Sequence, residues 1–430
     1  MNIKANTFKA FSNRNYRLFF TGQSMSLIGT WMQKTAVSWV VYTMTHSAFM
    51  LGVTMFATQF PTFLFSLLGG IASDRYDRYK VLLLTQVLSM IQAALLAVLT
   101  LTRHYTVWEI LTFSVILGTI NAFDMPARQP MVHEMIADPE DLPNALALNS
   151  SMNNLAKLLG PALSGIVLEK FGAGICFLLN AVSFVAVIVS LLLMKLPAYS
   201  PSTARKKVVS ELTEGFVYVK NTPAIGVIML MIAFVSLLVL PYSTLLPIFA
   251  KVIFKGNAAT FGYINSFIGL GAVCGAILLA SLKKGTDLKL ILLVNTVVLG
   301  VSLLLFSHTA YFPLAMVFAV VTGFGTMSQT TICNTIIQAN SDKKMRGRVI
   351  SLLLMAIGLL PVGSLLIGAV SQRIGAPNTL FCQGLIALVI AGVFSRFLRS
   401  GNEDNPENLN NYFFKKNKKW NNTHKTQPYS

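Results

Sequence analysis

Gly70-Ile-Ala-Ser-Asp74-Arg75-Tyr-Asp77-Arg78-Tyr-Lys80 is a short charged stretch set between two long apolar ones. It reads as the turn of a helical hairpin. Gly70 permits close helix approach, Asp74 caps a helix or pairs with a basic side chain, and Arg75, Arg78 and Lys80 suit the depth of phospholipid headgroups. With Asp77 they are expected to form an ionic latch that holds at the helix ends in one conformation and releases in another. A plain basic loop that only fixes topology is the simpler alternative.

On both sides of this turn the chain is apolar in blocks of helical-span length. The 430 residues are 54% hydrophobic and 12% charged, with a mean hydropathy of +0.63, too apolar for an ordinary soluble protein of this size. Spans are expected near 18–42, 48–72, 80–102, 107–126, 145–168, 173–195, 223–247, 258–281, 288–307, 310–335, 348–371 and 377–398. Each approaches the ~20 residues a helix needs to cross hydrocarbon. Helices are required because lipid cannot satisfy open backbone groups. The first apolar block follows a polar lead and has no small-residue cleavage site, so it reads as a span and not as a signal peptide.

Basic residues orient the spans. Lys4, Lys9, Arg14 and Arg17 precede the first, and the even-numbered spans end near Arg75, Arg78 and Lys80, Arg128, Arg205 to Lys207, Lys283 and Lys284, Lys343 to Arg348, and Arg396. The opposite side receives Arg103, Lys170, Lys251, Lys255 and Arg373. That bias places both termini in the cytoplasm, and the expected location is a bacterial cytoplasmic (inner) membrane. Topology also accounts for most of the net charge of +18, so no nucleic-acid partner is expected. Cys176, Cys274, Cys333 and Cys382 lie in apolar blocks without a CxxC pair and read as core packing; no metal or cofactor is expected. Residues 399–430 read as a flexible polar tail whose Lys415, Lys416, Lys418 and Lys419 sit beside Phe413, Phe414 and Trp420, a composition suited to anionic lipid.

The longest connection, 196–222, divides the chain into an N-terminal bundle of six helices, 1–195, and a C-terminal one, 223–398. Within the connection, 211–220 is amphipathic. A weak repeat supports the division: Gly160-Pro-Ala-Leu-Ser-Gly165 and Gly363-Ser-Leu-Leu-Ile-Gly368 fall in the fifth span of each half, offset by 203 residues. Paired halves are the usual construction of alternating-access transporters, with solute between them near the midplane.

The 70–80 stretch resembles the signature between the second and third helices of the major facilitator superfamily. It departs from that signature where Asp77 replaces a glycine and where Tyr79 separates Arg78 from Lys80. Tyr16 to Gln33, Asn121 to Gln129 and Asn144 to Ser150 are similar to the multidrug and siderophore efflux branch of that superfamily. The resemblance implies an all-α membrane protein of twelve transmembrane helices in two pseudo-symmetric six-helix bundles, and rocker-type export by proton antiport. Gly160, Pro161 and Gly165 look like the antiporter motif of the fifth span; physically they loosen the helix and let a neighbour approach.

Two lysines fall inside spans, where an unpaired ammonium is costly unless it meets water or a partner. Lys157 shares a narrow helical face with Asn149, Asn153 and Gly160, and Lys34 shares one with Gln23 and Thr30. Facing a central cavity is one reading; a hydrogen-bond network for Lys157 and snorkelling for Lys34 are the others. Asn265 and Gln329 offer neutral polar contacts. Asp124 and Arg128 are spaced for an i,i+4 pair, and are candidates for proton coupling. Two cations without a midplane carboxylate favour an anionic or hydrogen-bonding solute over a cationic drug. The expected function is secondary export of a small amphiphilic or anionic metabolite such as a siderophore, by a monomer in contact with membrane lipid. A broad multidrug pump and a metabolite or lysolipid transporter are the alternatives; a receptor or scaffold would be expected to carry a soluble appendage. No nucleophile-base pair or phosphate loop points to an enzyme.

Overall fold

The computed structural model describes residues 8–136, 138–195, 208–283 and 285–400. Lys4, Arg205 to Lys207, Lys284 and the tail cluster at Lys415 to Lys419 lie outside them. The described residues are helical without a strand. In chain order the long helices are α1 (Arg14–Thr45), α2 (Ala48–Arg75), α3 (Arg78–Leu101), α4 (Val107–Met135), α5 (Leu142–Phe171), α6 (Ala173–Leu192), α7 (Val208–Asn221), α8 (Pro223–Leu238), α9 (Ala258–Ala280), α10 (Leu288–His308), α11 (Phe312–Asn340), α12 (Arg346–Ile357), α13 (Leu360–Ile374) and α14 (Ala376–Ser400).

Several starts are fixed by side chains. Ser47 accepts from Met50 N–H, and the reciprocal pairs Thr106 with Glu109 and Asn257 with Thr260 form capping boxes on α4 and α9. Among the described residues, ten helical stretches are long and apolar enough to cross a membrane. The two long helices that fall short are α1 and α5, although they have 32 and 30 residues. Their shortfall is chemical: α1 carries Gln23, Gln33 and Lys34, and α5 carries Asn149, Asn153, Asn154 and Lys157. Helices this polar are tolerated in lipid where they face protein or water.

Two expected spans are interrupted. The seventh runs as α8 and then tightens into a 3-10 segment (Leu240–Leu245) that has Pro241 in its first turn, and loosens into a π segment (Phe249–Ile253). Proline cannot donate to the preceding turn, and Gln383 of α14 donates to the carbonyls of Leu238 and Val239, both at 3.2 Å. The eleventh breaks between α12 and α13, just before Pro361. Of the cysteines, Cys176 and Cys333 are buried as expected, whereas Cys274 and Cys382 are exposed on helix faces.

α1 to α6 pack mainly on one another, as do α8 to α14, and two seams join the sets: α5 with α9, and α2 with α13. Both seams close on glycine. A Cβ on Gly165 would lie 3.0 Å from Gly262 Cα, and one on Gly368 would lie 3.0 Å from Gly52 Cα. Gln372 Oε1 adds a polar tie by accepting from Ser47 Oγ at 3.0 Å and Phe49 N at 3.3 Å. These contacts lie toward the ends bearing the turns at His46, Gly172, Lys255 and Gly375.

Outside the spans, each set has a helical lead that docks on its own later turn. Lys9 binds Asp141 at 2.8 Å, while Ala10 N donates to Asn144 at 3.0 Å. In the second set α7 does the same, through Glu214 to Arg348 at 2.7 Å and Tyr218 to Asp342 at 3.2 Å.

Candidate functional site

The polar faces of α1 and α5 meet at Trp31. Its Cβ packs on Gly160, where any side chain would collide with it, and Ser164 Oγ, one turn further along α5, donates to Met32 O at 3.0 Å. Lys34 Nζ stands 4.8 Å from the indole centroid and Lys157 Nζ 5.9 Å. Both distances are within cation–π range, and the ring partly replaces the water each ammonium has lost. Lys34 also lies within electrostatic range of Lys157 and Arg128. Three cations therefore share one region.

Asp124, on α4, is the acid of this region, and it is engaged on all sides. One carboxylate oxygen accepts from Thr85 Oγ1 at 3.0 Å and from Gln86 Nε2 at 2.6 Å, both on α3. The other meets the Arg128 guanidinium in the i,i+4 pair. The Arg128 side chain is 23% exposed against 3% for Asp124, so the pair has an open cationic end and a closed acidic one. The local field is positive, which suits an anion.

The remaining expected cavity residues scatter. Thr30 is half-buried beside Trp31. Gln23 is buried, with its Oε1 unpartnered. Asn153 is exposed and donates to Asn149 O at 2.9 Å, and Asn265 donates to Phe261 O of its own helix at 2.9 Å. Gln329 does not open onto any cavity. It is fully buried and accepts from Asn295 at 3.1 Å and Thr296 at 3.0 Å, because α10 and α11 close over it.

The hairpin differs from expectation in two respects. Gly70 has no neighbour that a Cβ would meet; Gly69 is the close-contact residue, its missing Cβ making room for the carbonyl of Ala122. Arg78 pairs with Asp74 at 3.7 Å, but also with Glu134 at the end of α4 at 3.0 Å, so the ion pairs stay within the first helical set. Asp77 caps α3 by accepting from Tyr79 N at 3.0 Å, while Arg75 and Lys80 are exposed. Glu134 and Trp31 are participants that hydropathy and spacing do not single out. A third is the buried chain in which Asn180 donates to Gln33 at 2.7 Å and Gln33 to Gln92 at 3.0 Å, tying α6, α1 and α3.

Span-length apolar helices in two interlocking sets, with Lys34 and Lys157 brought together on Trp31 between α1 and α5, define a multi-pass membrane protein. The same helical arrangement occurs in a POT family transporter solved with a thioalcohol conjugated peptide, at 14% identity, TM-score 0.72, and 90% and 96% coverage of the two chains. It also occurs in a bacterial homolog of the human lysosomal transporter Spinster, at 13% identity, TM-score 0.69, and 91% and 98% coverage. Residues 5–421 match the profile described as Transmembrane secretion effector, and the chain belongs to that family of the major facilitator superfamily. It is thus a multi-pass secondary transporter and not an enzyme. Relatives include the staphyloferrin A transporter of Staphylococcus aureus, 25% identical over 88% of this chain and 95% of that one. The enterobactin exporter EntS of Salmonella choleraesuis is also 25% identical, over 89% and 93%. The multidrug efflux pump Tap of Mycolicibacterium fortuitum is 24% identical, over 84% and 90%.

Proposed function

We propose that the chain exports a small anionic, amphiphilic metabolite of the siderophore kind. The observation that carries this reading is the convergence of Lys34 and Lys157 on Trp31, with Arg128 within electrostatic range and the nearby Asp124 already engaged. The relatives named for staphyloferrin A and enterobactin support the solute class. In this reading a monomer crosses the inner membrane twelve times, in bundles 1–195 and 223–398 joined by 196–222, with tail 399–430 and both termini in the cytoplasm. The glycine seams then close the outer side, and the site faces inward. Proton antiport as the driving reaction rests on the family likeness, with Asp124 and Arg128 as the coupling pair.

Everted vesicles test the reading. Accumulation of labelled staphyloferrin A or enterobactin under an imposed proton gradient is expected, with a selective loss in Lys157→Ala. Equal uptake without a gradient rejects the energy source, and unchanged selectivity removes Lys157 from the site. The Tap relative favours a second reading, a broad multidrug pump; in the same vesicles it requires cationic dyes to be carried as well as anions.

A further inference from the structure

We propose that Phe56, Gln59 and Phe60 of α2 form an aryl-binding subsite, in a crevice where the α2 seam stops closing, for the ring-bearing end of a solute whose charged end is held at Lys34 and Lys157. This inference rests on the anionic reading above and narrows it to anions that carry an aromatic ring.

The two seams are alike at their outer glycines. A Cβ on Gly262 would lie 2.6 Å from Pro161 O, and one on Gly52 would lie 2.6 Å from Ser364 O. Pro161 and Ser364 each stand four residues before the facing glycine, Gly165 or Gly368. One turn further in, the α5 to α9 seam stays closed. Ser266, four residues past Gly262, donates to Leu158 O at 3.0 Å, and a Cβ on Gly269, seven past it, would lie 2.9 Å from Leu158 Cα. Backbone thus meets backbone down to the level of Lys157.

The other seam parts at the same step. Four and seven residues past Gly52, α2 has Phe56 and Gln59 where α9 has a serine and a glycine. Close approach of backbones needs small residues, and these two are large. α2 packs along α13 but hardly touches α12, and the facing span is itself interrupted between those two helices. At the interruption the Phe63 ring fills the place that a side chain on Gly358 would take. One seam is therefore zipped to midspan, while the other gives way there to a row of rings.

That row suits a planar guest. Phe56 and Phe60 stack with centroids 4.4 Å apart and planes 15° from parallel, and Phe60 leads on to Phe63 at 6.3 Å. All three are half-buried, which leaves ring surface for another aromatic partner, stacked or edge-on. Gln59 speaks against a lipid acyl chain as the occupant. Among the described residues its amide has one hydrogen-bond partner, the Met55 thioether at 3.7 Å, and an amide so poorly partnered is costly against hydrocarbon. A ring with polar substituents or an amide linkage satisfies it. Because the seams share their register, the row stands at the depth of Leu158, the neighbour of Lys157. The charged and aromatic ends of one solute are thus offered separate places at one level.

The test uses the purified full-length protein with two probes of equal charge and length, 6-phenylhexanoate and 6-cyclohexylhexanoate, followed by titration calorimetry. The saturated ring is the more apolar, so the quantity read is the ratio of the two affinities. In Phe56→Leu and Phe60→Leu, which keep an apolar side chain, that ratio is expected to shift against the phenyl probe by about two- to tenfold, the worth of one aromatic pair. Lys157→Ala is expected to weaken both probes alike. If it weakens neither, or if neither binds the wild type, the anionic reading fails and this inference with it. An unchanged ratio in both leucine variants overturns the inference alone. A second measurement needs no variant: on illumination, 6-(4-azidophenyl)hexanoate is expected to label the α2 peptide that holds Phe56 to Phe63, with protection by 6-phenylhexanoate. Labelling without protection, or of other helices instead, overturns the subsite.

Discussion

Gly165 of α5 and Gly262 of α9 face each other so closely that a Cβ built on Gly262 would stand 2.8 Å from Gly165 Cα. Gly368 and Gly52 repeat the arrangement on the other seam, which explains why the glycine repeat of the fifth spans recurs at a fixed offset. The two glycines of the repeat touch different partners but perform the same closure.

Gly262→Leu is therefore expected to wedge this seam apart. A cysteine placed at Ser47, on the opposite seam but the same end, should label with a membrane-impermeant maleimide several-fold faster in that background, and transport should fall at least tenfold. Unchanged labelling would show that the seam tolerates bulk.

Trp31→Ala should weaken binding of an anionic solute more than Trp31→Phe, since phenylalanine keeps a π face for both ammoniums. A cation–π contact contributes about 0.5–2 kcal/mol, so losing the worth of one such contact is expected to lower affinity roughly two- to thirtyfold in the alanine variant. Titration calorimetry with the transported anion distinguishes the two.

The hairpin makes a paired prediction. Gly69→Val should collide with the Ala122 carbonyl and lower the thermal midpoint in detergent, while Gly70→Val, which meets nothing, should leave it within a degree or two. Equal effects would mean that helix propensity, and not the α2 to α4 contact, decides.

Lys9 is held above its ordinary 10.5, first by its hydrogen bond to Asp141 and then by the charge of that carboxylate. A raised value in the folded chain means that docking of the 9–12 turn is at full strength below the unfolded value and is lost as pH rises through the folded one. A nitroxide at Phe8 should become mobile above about pH 10.5. In Asp141→Asn it should be mobile already at neutral pH.

Hydropathy and the basic bias make the multi-pass helical class legible, because lipid imposes apolarity on every helix it touches. The i,i+4 pair of Asp124 and Arg128 is legible for the same local reason, the helical period alone bringing the two together. What spacing does not carry is which helices meet. Trp31 sits between Thr30 and Met32, and nothing in its spacing marks it until α5 is seen against it. Gln329 reads as a cavity residue because its burial depends on α10. Gly69 and Gly70 are adjacent, and only the direction of α4 tells them apart. The break after Leu238 is partly visible in Pro241, but the carbonyl partner, Gln383, lies 145 residues away from Leu238.

That break sets the two halves apart mechanically. α1 is one unbroken rod of 32 residues, while its counterpart α8 passes through three helical pitches between Pro223 and Ile253. A solute held between them meets an anvil on one side and a spring on the other, so accommodation of differently sized cargoes is expected to fall on the spring. Hydrogen exchange should show it as faster amide exchange across 240–253 than across 28–41, with the difference shrinking when cargo is bound.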